Sequence, residues 1–250
     1  MTFLKKYGLS ILLVLLLLVV WEIGARLYGK PFILPSPLQI VDRLWELRSV
    51  LFVGHLPSTS LIMLIGLLLS LVFGVGLSIW MHKSDIVRKA FFPLLIASQT
   101  IPIIALAPIF VLWFGYSLWS KIVVTVLITF FPITVNTFDG LRSADIHLKE
   151  TLQAMGATKR QIFYKVELPS ALPHFYSGLK VAVTLSVIGA AIGEWLGADK
   201  GLGYFSRRMM TQFDGAGVFA PIVLLSLTGI MLFLLVAWLE KITMKWRNIK

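Results

Sequence analysis

Six apolar stretches, at roughly 8–28, 58–82, 90–114, 118–138, 177–197 and 218–240, limit what this chain can fold into. Each is close to the ~20 residues that a helix needs to cross the hydrocarbon of a bilayer. Backbone groups in lipid must pair within their own segment, so every stretch is expected to be an α-helix. In a chain of 250 residues, six spans leave room for loops and for no separate soluble domain. The expected fold is an all-α integral membrane protein with a single domain over 1–250. Lys5 and Lys6 precede the run LSILLVLLLLVVW, as in a secretory signal. Glu22, Arg26 and Lys30 follow it in place of a small-residue cleavage site, so the first stretch reads as an uncleaved span.

The formal charge of +11 raises nucleic acid as a partner, and the placement of the charges argues against it. With the N-terminus in the cytoplasm, 15 of the 23 basic residues fall on the inner side, among them Lys5, Lys6, Arg142, Lys159, Arg160, Arg247 and Lys250. Eight, including Arg43, Lys121, Lys200 and Arg208, fall outside. This is the bias of the positive-inside rule, with both termini cytoplasmic. It assigns the charge to lipid headgroups and a cytoplasmic partner. There is no cysteine, hence no disulfide, and His55, His82, His147 and His174 follow no metal-ligand spacing.

Between the first two spans, Ser36 is placed to cap a short helix that begins at Pro37. Ile40, Leu44 and Leu47 share its apolar face, so 37–50 is expected to lie as an amphipathic helix on the outer surface. The third span contains SQTIPIIALAP, where Pro102 and Pro108 should bend the helix just after Ser98, Gln99 and Thr100. Such a bend serves equally as packing or as the wall of a path. Gly189, Gly193 and Gly197 form a stripe for close helix approach on the fifth span. The following GADKGLGYF lacks the GK[ST] of a phosphate loop and reads as an outward-facing loop.

The most polar part of the chain lies between the fourth and fifth spans, in a loop over 139–176. Leu148, Leu152 and Met155 share one helical face. Gly156 is placed to end that helix in the left-handed conformation. Thr158 and Gln161 then form a T-x-x-Q capping box for a second helix, with Ile162, Phe163 and Val166 on its apolar side. Pro169 and Pro173 are expected to stop this helix and redirect the chain. Two short helices with an elbow at Gly156 result. Asp139 and Asp145, six apart, are expected to begin a helix.

The pattern E-x-x-x-A-x-G-A followed by Q-I-F-x-x-V-x-L-P-x-A-L-P resembles the cytoplasmic EAA loop of binding-protein-dependent ABC importer permeases. Glu150, Gly156, Ala157, Leu168 and Pro169 stand at motif positions, whereas Thr151 and Leu152 replace the two alanines after the glutamate. LPSPLQIVDRLWE, SQTIPIIALAPIFVLWFG and the six-span layout extend the likeness over nearly the whole chain. They resemble the nitrate, sulfonate, taurine and thiamine-precursor branch, and SVIGAAIGEWLGADKGLGYF looks most like the thiamine-precursor pyrimidine permeases. The resemblance implies the type I importer permease fold and transport of a small polar solute. It also implies a second permease copy, two ATP-binding subunits and an external substrate-binding protein. Glu150, Ala154, Met155, Gly156, Ala157, Thr158, Arg160, Gln161, Leu168 and Pro169 would form the coupling contact with the ATPase. ATP and magnesium would sit on that partner, since this chain has no G-x-x-x-x-G-K-[ST] and no cofactor of its own is expected.

Two other classes fit less well. An ion-coupled secondary transporter usually carries ionisable groups within its spans. Here spans two to four have none centrally, and Glu22, Glu194 and Glu240 lie toward span ends. A membrane enzyme needs a catalytic constellation, and none is found. Ser98, Gln99, Asn136, Thr184, Glu194 and Trp195 are the candidates to line a solute path, or equally to bond between helices. Riboflavin, sulfonate or taurine, and nitrate permeases are the alternatives within the family.

Overall fold

The computed structural model describes residues 3–245; the side chains of Lys5 and Lys6, and all of Arg247 and Lys250, lie outside the described residues. The chain forms α1 (Phe3–Tyr28), α2 (Pro37–Glu46), α3 (Leu56–Lys83), α4 (Asp85–Ser98) and α5 (Ile103–Phe114). Then come α6 (Leu118–Arg142), α7 (Ile146–Ala154), α8 (Lys159–Ile162), α9 (Leu168–Gly197), α10 (Leu202–Thr211) and α11 (Gly215–Thr243). Among the described residues there is no strand. Among the described residues, five helical segments are long and apolar enough to cross a bilayer, or six if the bent pair α4 and α5 counts as one span.

α6 lies at the centre, between α3 and α9. Its threonines return their hydroxyls to their own helix: Thr125, Thr129 and Thr137 each donate to the carbonyl four residues back, at 2.6–3.0 Å. Toward α3 the seam is polar and narrow. Ser70 pairs with Thr129 at 2.6 Å, and Ser78 donates to the Thr134 carbonyl at 2.7 Å. Toward α9 the backbones nearly touch. A β-carbon at Gly189 would stand 2.8 Å from Thr125 Cα, and one at Gly193 would stand 2.9 Å from Lys121 Cα. The glycine stripe therefore packs within the chain, the close approach that small residues permit in membranes.

α1 stands apart, with Leu9 to Val20 exposed. It is tied at its end, where Trp21 donates to the Pro35 carbonyl at 3.1 Å and Ala25 is buried. Ser36 and Gln39 complete the capping box of α2, and Ile40 is buried while Leu44 and Leu47 pack on the core. The helix ends at Glu46, short of 50, and a π-helical turn (Val50–His55) leads directly into α3. Arg43 fixes α2 to the start of α11, at 2.7 Å from Asp214. Glu46 and Asp214 together hold its guanidinium above the ordinary arginine range.

Four expectations are corrected. The third span is not one bent helix: α4 and α5 meet at 101° across a four-residue break, because Pro102 follows Ser98–Thr100 with no donor to carry the helix on. Pro169 and Pro173 do not stop the helix after the elbow. A π-helical turn (Phe163–Glu167) joins α8 to α9 just before Pro169, and Pro173 lies inside α9, so the helix runs on through both. GADKGLGYF is loop only as far as Gly201, after which Leu202, Phe205 and Met209 form the buried face of α10. Asp145 does cap α7, accepting from His147 N at 2.8 Å, but Asp139 lies inside α6.

Candidate functional site

The bundle carries polar constellations at its two ends. At one end is the elbow. α7 closes at Gly156, φ +87°, whose N–H donates to the Gln153 carbonyl while the Ala157 N–H donates to that of Leu152, both at 2.9 Å. These two bonds are the Schellman motif, and Leu152 and Ala157 both pack on the buried cluster beneath it. The chain restarts at Thr158, whose hydroxyl accepts from Gln161 N as the Gln161 side chain accepts from Thr158 N. Ala144, Ile162 and Val166 are buried beneath.

The elbow is thus held from inside and bare outside. Glu150, Ala154, Met155, Gly156, Thr158, Arg160 and Gln161 are exposed, Met155 by 78%. Ala157 and Pro169 are half-buried and Leu168 is exposed. The apolar face expected of Leu148, Leu152 and Met155 is mostly open as well, since Leu152 packs and the other two do not. Beside the elbow is a cleft of about 820 Å³ lined by His82, Lys83, Lys149, Glu150, Arg160 and Glu167, among others. Glu167 organises it, at 2.9 Å from His82 Nε2 and 3.6 Å from Lys149 Nζ. It joins the last turn of α3, the helix α7 and the root of α9.

The opposite end is closed. Glu194 is wholly buried, and both its oxygens are used within the chain: Oε1 accepts from the Thr59 hydroxyl and Oε2 from Gly203 N, each at 2.7 Å. Thr59 accepts from Leu202 N at 2.8 Å, and His55 Nδ1 accepts from Gly201 N at 3.1 Å. Three successive N–H groups at the start of α10 are capped in this way. The glycines of GADKGLGYF therefore do admit an acceptor group to a helix N-terminus, and that group is the chain's own Glu194 carboxyl. A β-carbon at Gly201 would lie 2.2 Å from it.

The other path candidates are dispersed. Ser98 and Gln99 are exposed at the break between α4 and α5, hydrogen-bonded to each other at 3.3 Å. Asn136 is half-buried and bonds to the Pro132 carbonyl of its own helix, and Thr184 is exposed on α9 and bonds to Val181. Trp195 is 42% exposed. His55, Thr59, His82 and Glu167 are further members of these constellations that the sequence reading did not single out. Each lies far in sequence from its partners, so local pattern carries no sign of them.

The family model for the binding-protein-dependent transport system inner membrane component matches residues 62–244. The chain belongs to this family. It is 62% identical over 234 residues to the formylaminopyrimidine transport permease of Halalkalibacterium halodurans, covering 94% of each chain. It is 37% identical over 241 residues to the riboflavin transport system permease of Chloroflexus aurantiacus, covering 96% of this chain and 90% of that one. With a putative aliphatic sulfonates permease of Bacillus subtilis the identity is 32%, over 98% of this chain and 90% of the relative. The protein is thus a multi-pass ABC permease subunit, with the all-helical fold of that family. The thiamine-precursor branch is supported ahead of the riboflavin and sulfonate permeases, which are more distant.

Proposed function

We propose that this permease imports a formylaminopyrimidine-type thiamine precursor, received from an external binding protein and driven by ATP hydrolysis on two partner subunits. The observation that carries the substrate class is the 62% identity over 94% of both chains to a permease of that name. The elbow is the surface that meets the ATPase. Its well-defined backbone and its exposed Glu150, Ala154, Met155, Gly156, Thr158, Arg160, Gln161 and Leu168, with the half-buried Ala157 and Pro169, support this reading. A rigid turn with bare side chains suits transmission of rigid-body motion. ATP and magnesium belong to the partner subunits.

The elbow end faces the cytoplasm, with both termini on that side of the cell membrane, as the bias of basic residues supports. Two copies of the chain pair around the path. Ser98 and Gln99 line it at the α4–α5 break, because irregular backbone at membrane depth is tolerated where it faces protein or a water-filled cavity. Asn136, Thr184 and Trp195 complete the lining. Glu194 is left out, its carboxylate being fully engaged.

The test is uptake into proteoliposomes holding the permease, the ATPase and the binding protein, with labelled formylaminopyrimidine, riboflavin and taurine in parallel. ATP-dependent uptake of the pyrimidine alone is expected. Uptake of riboflavin or taurine in its place overturns the substrate, and uptake driven by an ion gradient without ATP overturns the importer. The chain has no native cysteine, so single cysteines at Met155 and Lys200 report orientation by labelling from one side.

A further inference from the structure

From Lys159 to Gly197 the helix is unbroken for 39 residues, about 58 Å at 1.5 Å per residue. One end of this rod is the second arm of the elbow. The other carries Glu194. At each end a carboxylate of the rod is bonded to α3: Glu167 to His82 at 2.9 Å, and Glu194 to Thr59 at 2.7 Å. Between these points α6 intervenes, and α9 lies against it through Gly178, Gly189 and Gly193. A glycine face brings backbones close and offers few side-chain knobs to resist sliding. The side-chain hydrogen bonds from the rod to α3 lie at its two ends, while mid-rod polar ties run to α11, from Lys180 to Glu240 at 2.7 Å and from Thr243 to Tyr176 at 2.9 Å.

The far pin also holds a third element. The first N–H groups of α10 have no partner within their own helix, and its N-terminus carries partial positive charge. His55, Thr59 and Glu194 take three of them. Displacing α10 from α9 would leave buried donors and a buried carboxylate unsatisfied, each at substantial cost. Around this locked start, Lys200, Arg208, Met210 and Phe213 are exposed.

We propose that Glu194 and Glu167 are positioning residues of the transport cycle. They pin the two ends of the α9 rod to α3, so that load placed on α10 by a docking protein reaches the elbow as one rigid-body movement. This rests on the importer reading above. An ionisable group kept inside a span is costly, and a purely apolar contact would hold two helices together at less cost. A carboxylate adds direction: its two oxygens face two different elements and fix their relative position.

The experiment uses the assembled permease, ATPase and binding protein in nanodiscs, with formylaminopyrimidine as ligand. It compares hydrolysis with and without the loaded binding protein. Glu194→Gln, Glu167→Gln and Thr59→Val are expected to lower the stimulated-to-basal ratio about 5-fold or more, the lower end of an ordinary allosteric coupling. Basal hydrolysis and subunit stoichiometry should stay near wild type. Thr59→Ser, which keeps the hydroxyl, should restore the ratio. An unchanged ratio in Thr59→Val and Glu167→Gln overturns the proposal. So does loss of assembly in all three variants, which would make the pins merely structural. A wild-type complex that shows no stimulation at all overturns the importer reading itself, and this inference with it.

Discussion

The two ends of α9 use the same chemical group in opposite surroundings. At the elbow, Glu167 is part-exposed and meets a histidine and a lysine across a cleft, at 2.9 and 3.6 Å. At the far end, Glu194 is sealed and meets a hydroxyl and a backbone N–H, both at 2.7 Å. Water can replace much of what is lost at the first site and nothing at the second. Added bulk at the far end should therefore fall on folding, whereas near-isosteric changes there, like changes at the elbow, should fall on function with folding intact.

The sharpest way to break that comparison is Gly201→Ala. Gly201 has φ +117°, and an added β-carbon would stand 2.2 Å from the Glu194 carboxyl carbon. Backbone strain of about 1–3 kcal/mol adds to an overpacking cost of about 1–3 kcal/mol. A fall in thermal stability in detergent of several degrees, with reduced membrane yield, is expected. Wild-type stability would mean that α10 is not clasped as described.

Gly156→Val tests the other end and should behave differently. The φ of +87° strains a β-branched residue, yet nothing lies within 4 Å of the added carbon. The strain of about 1–3 kcal/mol is confined to an exposed turn, so the variant is expected in the membrane with modest loss of melting temperature. Transport and transport-coupled ATP hydrolysis should be abolished. Gly156→Asn, which tolerates left-handed backbone, should recover much of the activity. Normal coupling in the valine variant would remove the elbow from the mechanism.

The same contrast explains what the sequence made legible. Gly156, the T-x-x-Q box at Thr158 and Gln161, and the Ser36 cap were readable because each signal spans four residues or fewer. Six apolar runs disclosed the spans because each is continuous along the chain. The far clasp joins His55 to Gly201 and Thr59 to Glu194, more than 130 residues apart. No local period reports such a pairing, and its glycines resembled a loop because their partner is supplied by another helix. Pro169 and Pro173 misled in the opposite direction. Proline is a strong local stop signal, but the helix runs on through both, past a π-helical turn just before Pro169 and with Pro173 inside α9. The break at Pro102 was visible as a bend, and its 101° angle was not.

The smallest effect on the fold should come from Glu150→Lys. Glu150 is exposed, and its one ion pair among the described residues is to His147 at 3.9 Å, four-fifths or more exposed on the histidine side. Surface substitutions of this kind stay within about 0.5 kcal/mol, so the melting temperature should not move. If the elbow meets the ATPase through this face, reversing the charge should still lower the amount of ATPase that co-purifies with the tagged permease. The drop should be larger at low salt, because an exposed contact is screened within about 10 Å at 0.1 M. Co-purification equal to wild type at every salt concentration would return Glu150 to solvent. The docking surface would then narrow to Met155, Gly156 and the turn that follows, where the backbone and not a charge defines the contact.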